Sequence, residues 1–274
     1  MRNKKINLMQ KQQNRQANNK KRSHNSEQEL WLCGKHPIFT ILQKKRRKIF
    51  EILATQNTIL ELEKFLQENS LLSFKPLIKL VDNEKIESLV GKNQIHQGIA
   101  AHCSRLPTKT QNELLDELQK LDSQQLPTLL LLDQISDPHN VGAIIRSASA
   151  FGVKKIIFCE HNSPKENATI VKSSAGTIDL VDLIVVTNFS NLMEKLKKIG
   201  YWCIGLAAEA KTSITEIKDY KNIALVIGSE GSGMRDLVKK NCDLLAKIEI
   251  NGEVESLNAS VAAAITLYEL QKKL

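Results

Sequence analysis

Aromatic residues make up only 4% of this 274-residue chain. At 42% hydrophobic and 25% charged, it reads as a soluble chain able to build a core, and a fibre is excluded. Long apolar runs are missing too. LLLL at 129–132 and LIVV at 183–186 fall far short of the roughly 20 residues a membrane span needs, so they are expected as buried strands and no membrane partner is expected. The N-terminus has no apolar segment of the kind a secretory signal requires, and its Asn/Gln richness is not the usual composition of a mitochondrial presequence. The cysteines, at 33, 103, 159, 203 and 242, are odd in number and lack CxxC spacing. This argues against a disulfide framework and a structural zinc site, and makes a reducing cytoplasm the expected location. His36, His96, His102 and His139 show no metal-ligand spacing and no pairing with a Ser or Cys nucleophile, so no metal is expected.

Positive charge is present but unevenly placed. The net charge is +9, and residues 1–28 carry eight Lys/Arg against one Glu, or +7, which leaves +2 for the rest. This arm lacks hydrophobic periodicity and is expected to be disordered. A polyanionic partner and a merely solvated tail both suit it, and charge alone leaves the two open.

Beyond the arm, residues 29–106 alternate helix and strand patterns and read as a small α/β domain. Residues 107–127 are polar, with Pro107 and Pro127 near their ends, and read as a linker holding one short helix. From 128 to 274 apolar strands alternate with helices, and nine of the twelve glycines lie there. Repeated β–α units predict an α/β fold with a mainly parallel sheet covered on both faces.

Ligands of such sheets bind beyond the carboxyl ends of the strands. Three segments stand out there. "DQISDPHNVGAIIRSASAFG" (133–152) offers Asn140 as a helix cap and Arg146 among the small residues Gly142, Ala143, Ser149 and Ala150. "LVIGSEGSGM" (225–234) is a glycine-rich turn after a buried strand. It matches neither a Walker A loop nor GxGxxG, and Glu230 within it disfavours a triphosphate. "NGEVESLNASVAAAITLYEL" (251–270) places Ser256 and Asn258 before an alanine-rich helix. Each has a plain structural reading as well: cap, surface charge or tight turn.

In order and spacing the three together resemble the SpoU family of RNA 2′-O-ribose methyltransferases, of the SPOUT class. "NVGAIIR" matches its first motif, "LVIGSEGSG" its second and "IEINGEVESLNASVA" its third, except that Glu249 stands where the family usually has proline. "GKHPIFTIL" and "IHQGIAA" resemble the small RNA-binding domain of the 23S rRNA guanosine-2′-O-methyltransferase type. The resemblance implies a C-terminal trefoil knot, S-adenosylmethionine as methyl donor, RNA (23S rRNA first) as acceptor, and a homodimer through the knotted domain. It implies Arg146, Asn140, Glu230, Ser256 and Asn258 as catalytic residues. Leu206, Ala207, Gly228, Gly231, Ile248 and Leu257 would bind the donor. A tRNA methyltransferase of the same family is the near alternative. A non-catalytic RNA-binding assembly factor is the distant one, and the complete polar set weighs against it.

Overall fold

The computed structural model of the protein describes residues 28–161, 163–252 and 256–271, so the expected basic arm lies, apart from Gln28, outside the described residues. The chain divides into two compact units. One comprises the described residues up to Lys35 together with Arg47–Arg105. The other comprises His36–Arg46 and Leu106 onward.

In the first unit, strands β1 (Glu29–Cys33), β2 (Ile49–Ala54), β3 (Ile78–Leu80) and β4 (Ile99–Ser104) form a sheet in the order β1-β4-β2-β3. Helix α1 (Lys35–Lys44) separates β1 from β2 in sequence, but from His36 on it groups with the second unit. Helix α2 (Gln56–Glu68) buries Leu62 and Leu66 on one stripe and connects β2 to its parallel neighbour β3, as a parallel pair requires. Helix α3 (Asn83–Val90) begins where the Asp82 carboxylate accepts the Lys85 N–H at 2.8 Å and ends at Gly91, whose φ of +100° a side chain would resist.

The second unit is built on eight strands: β5 (Thr108–Thr110), β6 (Leu129–Leu132), β7 (Lys155–Cys159), β8 (Asp182–Val186), β9 (Trp202–Leu206), β10 (Thr212–Ser213), β11 (Ile223–Ile227) and β12 (Leu244–Lys247). Their order is β10-β12-β9-β11-β6-β7-β8-β5, and every pairing is parallel. Helices α4 (Gln111–Leu118), α5 (Pro138–Ala150), α6 (Ala168–Ser173), α7 (Phe189–Ile199), α8 (Asp236–Lys240) and α9 (Ala259–Gln271) connect and cover the sheet. β6 and β11 are buried along their whole length, which is why they read as unbroken apolar runs.

The polar segment read as a linker is not a bare tether. Thr108–Thr110 pairs with β8 as an edge strand, and a reciprocal Thr110–Glu113 capping box starts α4. Lys109 there, with Lys155 of β7, binds the carboxylates of Glu117 and Asp182, and Arg46 joins Asp182 at 2.9 Å. No described helix is long and apolar enough to cross a membrane.

From β6 the sheet grows one way through β7 and β8, and the other way through β11 and β9. That reversal opens a crevice beyond the carboxyl ends of β6 and β11, where α/β sheets bind ligands.

Candidate active site

The first turn of α5, after β6, contributes Asn140, but not as a cap. Asp137 caps α5: its carboxylate accepts the N–H groups of His139 and Asn140 at 3.1 and 3.2 Å, and Pro138 occupies the first helical position. A residue before proline is biased to the extended backbone that a cap needs, which favours Asp137 over Asn140. The Asn140 side chain is thereby released, and its Oδ1 accepts a hydrogen bond from Asn258 Nδ2 at 2.9 Å.

Asn258 sits just before α9. Its Nδ2 also donates to Glu230 Oε2 at 2.9 Å, and its Oδ1 accepts from the Ser260 N–H at 2.9 Å and the Ser260 hydroxyl at 2.6 Å. One carboxamide thus caps α9 and joins the three sequence segments. Glu230 does not serve the next helix N-terminus, since α8 starts only at Asp236.

The glycine turn after β11 is closed by paired bonds between Ser229 and Gly233, 3.0 Å in each direction. A Cβ on Gly228 would lie 2.2 Å from the Gly233 carbonyl carbon and 2.3 Å from the Met234 nitrogen, so only glycine fits. Gly231 instead has open space, but its φ is +102°. Asp133 fastens both ends of the turn. Its N–H donates to Ile227 O at 2.8 Å, while its fully buried carboxylate accepts from the Arg235 N–H and Nε at 2.8 Å and from Nη2 at 2.7 Å. Burial alone would lower the Arg235 pKa, but the bond to Asp133 outweighs it and the net shift is upward.

Beside this turn lies a cavity of about 440 Å³. Leu206, Ala207, Gly228, Gly231, Ile248 and Leu257 all line it, with Glu230 and Ser256. Sequence reading missed other lining residues, among them Met234, Lys239, Glu209 and Ala262. Lys239 and Glu209 form an ion pair with no local motif to announce it. Met234 fills the space that Gly205 leaves, since a Cβ there would come within 2.7 Å of the Met234 methyl. The nearby thiols of Cys203 and Cys242 are not nucleophiles at neutral pH, because burial pushes both up to about 12.

Arg146 stands apart. It is exposed on α5 and has no hydrogen bond or ion pair among the described residues. Gly142, one turn earlier, is not open surface: a Cβ there would lie 2.5 Å from Ser173 Cβ, so α5 presses closely on α6. The chain therefore joins Asn140, Glu230 and Asn258 in one network and brings Ser256 to the cavity with Glu230. It does not bond Arg146 to any of them.

Residues 127–268 match the SpoU rRNA methylase family, and residues 31–109 match the RNA 2′-O ribose methyltransferase substrate-binding family. The chain belongs to the SpoU rRNA methylase family. Among its relatives is the 23S rRNA (guanosine-2′-O-)-methyltransferase RlmB of Coxiella burnetii, 37% identical over 88% of this chain and 95% of that protein. A TrmH-family tRNA/rRNA methyltransferase of Bacillus subtilis is 33% identical over 90% of this chain and 97% of its own length. The crystal structure of the SpoU methyltransferase AviRb from Streptomyces viridochromogenes, in complex with AdoMet, superposes with a TM-score of 0.70. It covers 91% of this chain and 92% of AviRb at 22% identity, a likeness of fold. The family's three motifs meet here at Asn258, beside the cavity.

Proposed function

We propose that this protein methylates the ribose 2′-hydroxyl of a guanosine in 23S rRNA in the cytoplasm, with S-adenosylmethionine as donor. The observation that carries the reading is the Asn258 carboxamide bonded to both Asn140 and Glu230 at a cavity edged by the glycine turn. The cavity suits the donor. It combines apolar walls (Leu206, Ile248 and Leu257) with backbone of the glycine turn, and the Glu230 carboxylate is compatible with a sulfonium cation. When bound, the donor supplies an electrophilic methyl group.

The residues of the chain divide the remaining work. Leu206, Ala207, Gly228, Gly231, Ile248 and Leu257 enclose the donor. Asn258 holds Asn140 and Glu230 in place, and with Ser256 they orient the ribose. A guanidinium offers hydrogen-bond donors and no acceptor, so Arg146 is not assigned the role of general base. It holds an RNA phosphate and stabilises the alkoxide developing on the 2′ oxygen, while a phosphate oxygen or water takes the proton. Bringing two reactants into alignment can contribute up to about 7–11 kcal/mol of a barrier.

Arg146 reaches the reacting groups from a second copy of the chain. Helix α9 has no single apolar face, and outside its buried side Val261, Ile265 and Tyr268 are 46%, 39% and 53% exposed. It packs against α5, which carries Arg146. A homodimer through these helices would cover these three side chains. β12 inserted between β9 and β10, with the tightly closed turn after β11, suits the knot expected of the family.

The deciding experiment supplies labelled donor with separate rRNA and tRNA pools and maps the methyl group. Label on a 23S rRNA ribose supports the reading. Label on tRNA alone replaces the acceptor with the second reading, which the Bacillus subtilis relative keeps open.

A further inference from the structure

A second recess borders the same glycine turn. It is lined by Gln134 and Ser136 from the loop after β6, Ser163 and Pro164 from the loop after β7, and Ser229 and Ser232 from the turn itself. Ser229 and Ser232 also line the donor cavity, so the two spaces share the turn as a wall. Glu230, a member of the Asn258 network, lies between these serines in sequence.

The recess is chemically distinctive. Its six lining residues carry four hydroxyls, one carboxamide and no charge. Hydroxyls and carboxamides touch phosphates as well as bases, but this recess has no Lys or Arg to neutralise a phosphate, and its groups both donate and accept, as reading a base edge requires. The Ser163 hydroxyl oxygen is shielded from solvent and has no hydrogen-bond partner among the described residues. A buried polar atom left in that state is costly, and a ligand group can satisfy it. Gln134 is a second anomaly. It follows the central strand β6 with φ +60°, a region that long side chains adopt at a cost, and its carboxamide has no partner among the described residues. The Ser229 and Ser232 hydroxyls are already paired at 2.6 Å, which fixes that wall.

We infer that this recess receives the base of the acceptor nucleotide, with Gln134 and Ser163 reading its polar edge, which places the attached ribose beside the donor. The inference rests on the methyl-transfer reading and adds the residues that select the acceptor. Neutral donors and acceptors suit a guanine, which presents both kinds of group.

The test uses the full-length protein, 23S rRNA transcripts with guanosine or inosine at the mapped acceptor position, and labelled donor. Inosine lacks only the exocyclic amine. Gln134→Ala and Ser163→Ala should each lower kcat/KM for the guanosine transcript about tenfold, while donor affinity by calorimetry stays within twofold. The wild-type preference for guanosine over inosine should shrink in at least one variant. Ser163→Leu, which fills the recess, should abolish transfer but leave donor affinity intact. Unchanged base preference and unchanged kcat/KM in both alanine variants would overturn the inference. So would loss of donor affinity in step with activity, because the serine and glutamine would then be supporting the donor turn. Failure of the underlying reading looks different: the wild-type protein would methylate no RNA, and the inference would fall with it.

Discussion

The buried Asp133 carboxylate grips Arg235 through backbone N–H and guanidinium at once, while Asp133's own N–H holds Ile227. One residue of β6's continuation therefore pins the start and the finish of the glycine turn, residues 228–234. Asp133→Ala should cost about 1–3 kcal/mol, because the Arg235 backbone N–H loses its acceptor, while the guanidinium, 37% exposed, can turn to water. Asp133→Asn, which keeps the shape, should cost less. Denaturant unfolding with parallel donor titration checks this: donor affinity should fall in both variants, further than loss of folded protein accounts for.

Asn258 permits a clean separation of two roles. Asp caps helices as well as Asn does, so Asn258→Asp should keep α9 and stability within about 0.5 kcal/mol of wild type through its cap. It cannot donate to Asn140, and it sets a carboxylate against Glu230. Methyl transfer should drop at least a hundredfold. A variant with near-normal turnover would reduce Asn258 to a cap.

Glycines 228 and 231 should fail differently. Gly228→Ala forces the Gly233–Met234 backbone to move and should lower both stability and donor affinity. Gly231→Ala meets no atom and pays only for its left-handed backbone, about 1 kcal/mol. Thermal melts and calorimetry on the two variants distinguish steric from conformational cost.

Arg146→Ala should abolish transfer and leave donor affinity within twofold, since the guanidinium makes no hydrogen bond or ion pair among the described residues. Mixing this variant with Asn258→Asp should restore up to about a quarter of wild-type activity if random exchange gives half heterodimers, each with one intact composite site. No recovery after verified subunit exchange would remove the second copy from the mechanism.

Acid should loosen the edge of the sheet. Hydrogen bonds from Lys109 and Lys155 hold Glu117 below its usual carboxylate range. Burial works against ionised Asp182, but Lys109, Lys155 and Arg46 outweigh it, and its pKa is also lowered. Both folded values lie below the unfolded ones, so this stabilisation is complete above the unfolded carboxylate pKa and is lost as pH falls through the folded values. Glu117→Gln should flatten the fall in unfolding free energy measured below about pH 4.5.

The long apolar strands were legible because burial on two faces leaves an unbroken pattern, as in β6 and β11. β5 and β10 were not, since two or three polar residues become strand only through a neighbour's hydrogen bonds. The Asp133–Arg235 clamp joins residues 102 positions apart and leaves no local trace. The sequence singled out Asn140, but its bond to Asn258 was not legible, because the cap it offered is taken by Asp137. The polar cluster before α9 could be read as cap or as site wall, and Asn258 proves to be bonded both ways.

Helix α1 sets a constraint on timing. Residues 36–46 are translated early, yet Arg46 donates to the Val181 carbonyl and binds Asp182, which emerge about 135 residues later. A ribosome adds residues at about 5–20 per second. This segment therefore waits roughly 7–27 s, until well after the rest of the first unit has been made, before its own unit can close around it. Splitting the gene at residue 106 would part α1 from the unit to which it belongs.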